Sequence, residues 1–170
     1  MPAATVEISE SNTVSETVTD GISNINFGNN DSANLTPATY PITAGANSYE
    51  KWVRFHVSAM GSATKVDNLR VYAPGASFPV STGTYLLTSA TTSGYSNPTF
   101  ATPVTTTSTP ATNNIATSVP GSANLGIGGS LSGSFAAPGY SDYCVLQIQT
   151  NAADTAGSSV TIRFRYDEVA

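Results

Sequence analysis

The chain has 170 residues, of which 39% are hydrophobic and 10% are charged, and its formal net charge is −5. This length suits one globular domain, and the single cysteine, Cys144, excludes an intrachain disulfide. The 24 threonines, 22 serines, 14 glycines and 10 prolines disfavour helices and favour strands joined by turns. The first residues lack the basic and apolar stretches of an export signal, and no run approaches the roughly 18 apolar residues of a membrane span, so we expect neither.

The negative charge is concentrated at the start of the chain. Five acids and no lysine or arginine precede residue 32, whereas the six acids and six bases that follow cancel. Nucleic-acid binding needs clustered positive charge, so direct contact with DNA or RNA is not expected. We predict that residues 1–31 form an acidic N-terminal arm with the first strands, either a solvated tail or an arm on a basic partner surface. Residues 32–170 are predicted to form one β-sandwich domain.

The first predicted elements are short strands. Residues 5–8 and 18–27 show weak strand patterns. Residues 52–58 show a clear one, because Val53, Phe55 and Val57 alternate with polar or amphipathic neighbours. Residues 66–72 follow a glycine-containing turn, and their alternation breaks at Asp67-Asn68 in the manner of a bulge. The two runs 52–58 and 66–72 therefore predict an antiparallel hairpin.

The second half of the chain repeats this style around a long polar stretch. Weak strands are expected at residues 83–88 and 122–135, on either side of an excursion at 89–119 that is rich in threonine and serine. A second hairpin is predicted from residues 143–150 and 160–166, which alternate well. The fold class is therefore all-β, an antiparallel β-sandwich or jelly-roll-like domain with an extended N-terminal arm and long polar loops.

The sequence shows no clear pattern of catalytic or metal-binding residues. The only histidine, His56, lies in the middle of a predicted strand, and Cys144 shares the apolar face of its strand, so each is expected to be structural. One histidine and one cysteine cannot form a zinc site, and the acids do not match an EF-hand loop. The glycine-rich segment 125–131 lacks the ending of a phosphate loop, and its glycines favour close packing or a bulge. We therefore predict no enzyme, cofactor or metal.

A binding module is the main alternative that the residues leave open. Trp52, with several tyrosines, offers the flat aromatic surface on which sugars stack. Packing is the more common use of a tryptophan at the start of a core strand. Exposed sheet edges give another route to binding, because a partner can add a strand to them.

Several segments resemble virion proteins of tailed bacteriophages and prophages. They are residues 40–52 (YPITAGANSYEKW) with the run that follows them through 69–71 (LRV), 124–131 (NLGIGGSL), 140–143 (YSDY) and 164–168 (FRYDE). In size and composition the chain is most similar to head decoration, or cement, proteins. The resemblance implies a homotrimer, made in the host cytoplasm, that binds the major capsid protein on the outer head surface. It also implies that neighbouring capsid subunits are bridged against the pressure of packaged DNA.

On this hypothesis the acidic arm and the polar excursion are expected to contact the capsid. The candidate contact residues are Glu7, Glu10, Glu16, Asp20, Tyr95 and Phe100. Multivalent binding would give a trimer avidity without a large individual interface. The alternative is a carbohydrate-binding or tail- and fibre-associated module for host attachment.

Overall fold

The computed structural model describes residues 3–13, 15–75, 84–89, 111–157 and 159–170, and these residues form strands and turns without a helix. They accordingly contain no helix that is long and apolar enough to cross a membrane. The predicted all-β class is confirmed. The strands among the described residues are β1 (Thr5–Asn12), β2 (Thr17–Thr19), β3 (Lys51–Ala59), β4 (Lys65–Tyr72), β5 (Tyr85–Thr88), β6 (Asn113–Asn114), β7 (Ser134–Phe135), β8 (Gly139–Tyr140), β9 (Cys144–Gln149) and β10 (Arg163–Val169).

The strands form two antiparallel sheets. The larger sheet has seven strands, in the order β2-β1-β3-β9-β5-β6 with β8 also paired to β3, and the smaller has the order β10-β4-β7. β3 is central to the larger sheet, because β1 lies along one side of it and β8 and β9 along the other. The two sheets enclose the core between them, as expected of an antiparallel sandwich.

The core lies between the inner faces of the sheets. In β3, Val53, Phe55 and Val57 are buried, as their alternation predicts. The ring of Phe55 meets that of Phe164 of the smaller sheet edge to face, with the ring centroids 5.6 Å apart. Burial of one such side chain contributes about 1.5–3 kcal/mol, so the alternation of β3 accounts for much of the cohesion of the sandwich.

The predicted irregularity in β4 is a β-bulge. Asn68 has a φ of 53°, and the pairing with β10 shifts register between Arg165 and Asp167. Two residues of β4 thus face one of β10, which is the defining feature of a bulge. The side chain of Asn68 donates a hydrogen bond to Asp167, and Arg70 forms an ion pair with the same carboxylate at 2.6 Å. Two side chains of β4 thus bind one carboxylate of β10, and these contacts stabilise the bulge.

The two predicted hairpins are wrong. β3 and β4 belong to different sheets, and so do β9 and β10. β3 pairs with β1, β8 and β9, while β4 pairs with β7 and β10. Period-two alternation shows which face of a strand is apolar, but two consecutive strands with apolar faces can equally lie opposite each other across a core. Here the connecting segments carry the chain from one sheet to the other.

The acidic N-terminal segment is part of the sandwich rather than a free arm. β1 and β2 lie within residues 1–31, and β1 is bonded to β3 along most of its length. The predicted excursion at 89–119 is described only at its ends. There, Ala111 and Ile115 are buried, so the last part of this segment contributes to the packed interior.

Cys144 is a buried hydrophobic residue, as predicted. Its side chain is 0% exposed, and burial raises the pKa of its thiol to about 12. We expect the native protein at pH 8 to react with a thiol reagent at least about a hundredfold more slowly than the unfolded chain, because reaction needs an exposed thiolate. Labelling with and without denaturant, followed by mass spectrometry, measures this. Equal rates in both states would contradict the buried position.

Candidate functional site

A group of ionisable and aromatic side chains lies on the face of the larger sheet that points away from the core. Its members come from β1, the turn into β2, the residue after β2, β3, β8 and the segment before β9. We call it the outer-face cluster, and it consists of Glu7, Glu16, Asp20, Arg54, His56, Tyr140 and Tyr143. The pairing of β1 with β3 creates it, because Glu7 lies directly opposite His56.

His56 joins the two carboxylates at one end of the cluster. Its Nδ1 lies 2.7 Å from Glu7 Oε1 and 3.5 Å from Asp20 Oδ1. Asp20 also accepts hydrogen bonds from the hydroxyls of Ser9, at 2.5 Å, and Tyr140, at 3.0 Å. Partial burial raises the pKa of Asp20, but these bonds and the charges of His56 and Arg54 outweigh it and hold that pKa below its ordinary value. Asp20 therefore remains an anion at neutral pH.

Arg54 joins the aromatic members at the other end. Its guanidinium carbon lies 4.0 Å from the ring centroid of Tyr140 and 4.5 Å from that of Tyr143, which are cation–π distances. The hydroxyl of Tyr143 donates a hydrogen bond to Glu16 Oε1 at 2.7 Å, and an Arg54 nitrogen lies 3.9 Å from the same oxygen. The cluster thus ties the turn between β1 and β2 to the centre of the sheet.

The outer-face cluster offers possible cation ligands, and the contacts among its described residues differ from those of a serine protease-like relay. One ligand atom from each of Glu7, Asp20 and His56 lies within 4.8 Å of the others. The same atoms already bind one another and nearby hydroxyls, and Arg54 supplies positive charge beside them. A serine protease-like relay needs a serine hydroxyl on the histidine, whereas Ser9 donates to Asp20 instead. The arrangement is therefore best explained as a clamp that fixes β1 and β2 on β3.

A second charged group lies on the inner face of the same sheet. Lys51 Nζ and Glu10 Oε1 are 2.8 Å apart, and the two side chains are 1% and 0% exposed. Lys51 also donates to the Ser32 carbonyl oxygen at 2.6 Å, and Asn12 donates to Glu10 at 2.8 Å. Burial raises the pKa of Glu10, although Lys51 and Asn12 act in the opposite direction. Glu10 is inaccessible, which removes it from the predicted partner contacts.

Trp52 is a packing residue and not a surface platform for sugars. It is 5% exposed and clusters with Ala111, Tyr143 and Val145. Its ring meets that of Tyr143 edge to face at 5.8 Å, and its Nε1 donates to Glu50 at 2.8 Å. The packing interpretation is confirmed, and the sugar-stacking role considered for this residue is wrong.

The glycine-rich segment forms a tight turn that holds a carboxylate. Gly128 and Gly129 have φ values of 61° and 80°, and the Gly129 amide donates to Asp142 at 2.9 Å. A Cβ on Gly126 would collide with the same carboxylate, which explains the glycine there. Burial raises the pKa of Asp142, although the bonds from Gly128 and Gly129 lower it. The predicted use of these glycines in close packing is confirmed for Gly126.

An apolar cavity opens beside β10, where the smaller sheet does not cover the larger one. Its volume is about 840 Å³. The groove, as we call it, is lined by residues from the segments 22–27, 37–44, 154–157 and 159–164, and by residues of β1 and β9. Its apolar lining includes Ile22, Ile25, Phe27, Ile148, Ile162 and Phe164, all of them only partly buried. In the part of the chain that is described, β10 pairs on one side only, with β4.

The structure brings three predicted contact residues together and separates the others. Glu7, Glu16 and Asp20 lie in the outer-face cluster, Glu10 lies inside the protein, and Tyr95 and Phe100 lie outside the described residues. The sequence interpretation missed the cationic and aromatic partners Arg54, Tyr140 and Tyr143. Arg54 and His56 lie on the same face of β3. Had the acidic strand β1 been paired with β3, the acids of β1 would have indicated that Arg54 and His56 have partners on this face.

The sequence interpretation also missed the groove, because its lining residues come from several segments that lie far apart in the sequence. Comparisons with protein-family models, with curated proteins and with solved structures found no match for this chain. No relative therefore supplies a function for the outer-face cluster or for the groove.

Proposed function

We propose that this protein is a non-enzymatic decoration, or cement, protein of a tailed-bacteriophage head. It binds the major capsid protein on the outer surface of the assembled shell and bridges neighbouring capsid subunits, so that the shell withstands packaged DNA. The residues that resemble phage virion proteins support the family. The outer-face cluster holds the protein's own strands together, and the groove is the feature of the described surface that supports a binding role.

The single observation that carries the proposal is the groove beside the edge of β10 with which no described strand pairs. A cavity of about 840 Å³ with a mainly apolar lining has the size and character of a binding site. Partly buried apolar side chains gain free energy when a partner covers them. The groove therefore replaces the acidic segment as the proposed capsid contact.

Trimer formation fits the same role. Three copies on one shell present three grooves, and the second and third contacts then form at high effective concentration. Individually weak contacts can add up to stable decoration in this way. A closed symmetric trimer also matches the requirement that one particle bridges several capsid subunits.

We expect the protein to sediment with expanded, undecorated capsids of its own phage and to run as a trimer in analytical ultracentrifugation. A control variant is Lys65→Glu. The side chain of Lys65 is exposed on β4 and does not line the groove, so this variant should sediment like the wild type. Imaging of purified particles should place the protein on the head shell. A protein that stays in the supernatant, or that lies on the tail, would contradict the proposal.

Carbohydrate recognition for host attachment is the second candidate, and one observation favours it. Tyr140 is 37% exposed, and its hydroxyl and ring lie against Asp20, His56 and Arg54, a mixture of aromatic and charged groups that suits a sugar. Glycan retention that is lost in Tyr140→Ala and kept in Tyr85→Ala, a similarly exposed tyrosine, would favour this function over capsid binding.

A further inference from the structure

The backbone beside the groove is arranged to receive another strand. β10 pairs with β4 on one side, and no described strand pairs with its other side. Residues 159–162 continue β10 toward its start without a hydrogen-bonded strand partner among the described residues. An edge strand presents a row of amide and carbonyl groups to which an extended chain can bind.

The side chains of the same segment alternate between the groove and the solvent. Val160, Ile162 and Phe164 line the groove and are only partly buried, whereas Thr161 and Arg163 are exposed. The rest of the lining is mixed, with apolar residues such as Ile22, Ile25 and Ile148 beside polar ones such as Asn24 and Asp154. A strand laid beside residues 159–164 would place every second side chain in this cavity, because successive side chains of a strand point to opposite faces.

The exposed face of residues 159–165 is positively charged. Arg163 and Arg165 are both exposed, and neither forms an ion pair with another described residue. They are two of the six basic residues in a chain whose net charge is −5, and residues 159–165 contain no acid, so this part of the edge differs in sign from the molecule as a whole; Asp167 and Glu168 follow later in β10. Oppositely charged side chains that face each other across two strands attract, and like charges repel.

We propose that β10 binds an extended segment of a partner protein by strand addition, with apolar side chains at alternate positions in the groove and acidic side chains opposite Arg163 and Arg165. This inference rests on the proposed binding role and names its surface and the chemistry of the partner. The partner segment is therefore expected to be acidic, whereas a contact through the acidic N-terminal segment would require a basic partner surface.

A peptide tests the pairing without the capsid. The probe is an eight-residue peptide with capped ends in which valine or isoleucine alternates with glutamate. The control, called the block peptide, has the same composition, but its apolar residues are consecutive. We expect the alternating peptide to slow amide hydrogen exchange at residues 159–165, as measured by NMR, and the block peptide to bind at least about tenfold more weakly. Lysine in place of glutamate should also weaken binding.

Charge reversal tests the role of the arginines. Arg163→Glu and Arg165→Glu should each weaken binding of the alternating peptide by about three- to fivefold, because each replaces a cross-strand attraction by a repulsion. Lys65→Glu makes the same change in net charge on another strand and should leave binding within about twofold of the wild type. Melting temperatures of all three variants show whether the fold is retained.

Several outcomes would overturn strand addition. Equal binding of both peptides would do so. Binding that leaves exchange at residues 159–165 unchanged would identify the groove as a site for a small apolar ligand instead. Protection of these amides that rises with protein concentration in the absence of peptide would show that a second copy of the chain fills the groove.

Sedimentation with capsids separates this inference from the proposed function. If the wild type and both arginine variants sediment equally, the decoration role stands and the β10 edge is not its contact. If the wild type does not sediment while the alternating peptide still protects residues 159–165, the decoration role fails and strand addition stands. Weaker sedimentation of Arg163→Glu and Arg165→Glu alone supports both.

Discussion

A chain that begins at residue 21 is expected not to fold. The deletion removes β1 and β2, and with them the whole ladder that β1 forms with β3. It also leaves Lys51 buried without Glu10 and takes Glu7, Glu16 and Asp20 from the outer-face cluster. Loss of one partner of a buried ion pair alone costs about 3–5 kcal/mol, and a domain has only about 5–15 kcal/mol of stability to lose.

The measurement is near-ultraviolet circular dichroism together with thermal unfolding. The truncated chain should lack both the aromatic signal of the native protein and a cooperative transition. The matched control is a chain that begins at Ala4, since it retains all of β1 and β2. A cooperative transition in the chain that begins at residue 21 would show that the acidic segment is dispensable for the sandwich. This test must precede any use of the deletion to study capsid binding.

Replacing Lys51 by Met is expected to lower the free energy of unfolding by about 3–5 kcal/mol. The Glu10 side chain is 0% exposed, so no solvent replaces the lost ammonium group. Met fills a similar volume, and the loss therefore reports the uncompensated carboxylate rather than a cavity. The double variant Glu10→Gln/Lys51→Met should recover much of this loss, because it removes both charges together.

The stability of Lys51→Met should also depend on pH in a defined direction. Burial already raises the pKa of Glu10 in the folded protein above its ordinary value of 4.5, and removal of Lys51 raises it further. The folded state then binds the Glu10 proton more tightly than the unfolded state. The loss of stability caused by the buried carboxylate is therefore complete above the pKa of Glu10 in the folded state, and it disappears below the pKa of Glu10 in the unfolded state. The variant should therefore lose less stability at pH 5 than at pH 8.

Urea unfolding of the single and double variants at both pH values measures these effects. Lys65→Met is the control, because Lys65 forms its ion pair with Asp67 at 2.7 Å on an exposed side chain. Its removal should cost less than about 1 kcal/mol. Equal losses for Lys51→Met and Lys65→Met would contradict the buried position of the first pair.

The sequence predicts strand faces well and strand partners poorly. Val53, Phe55 and Val57 are inside and Cys144 is buried, as the alternation indicates. Which strands lie side by side depends on contacts between distant residues, and no local pattern encodes them. For this reason both predicted hairpins failed, although every strand in them exists.

The same limit explains the fate of the acidic residues. Counting charges along the chain suggested a free arm, because the count ignores the face on which each charge lies. Glu10 is in phase with Val6 and Ile8, and Lys51 is in phase with Val53 and Phe55. A charged residue at an apolar position of an alternating strand indicates that it has a buried partner. Two such residues of opposite charge are therefore expected to pair with each other.

The passage of β3 into β4 and of β9 into β10 across the core has a consequence for the order of folding. β4 ends at Tyr72, and its neighbour β10 begins only at Arg163; β3 ends at Ala59, and its neighbour β9 begins only at Cys144. During synthesis, β4 therefore lacks this neighbour until residues 163–169 have emerged from the ribosome. Such distant pairings make folding slow, on a scale of about milliseconds to seconds, and expose the nascent chain to aggregation.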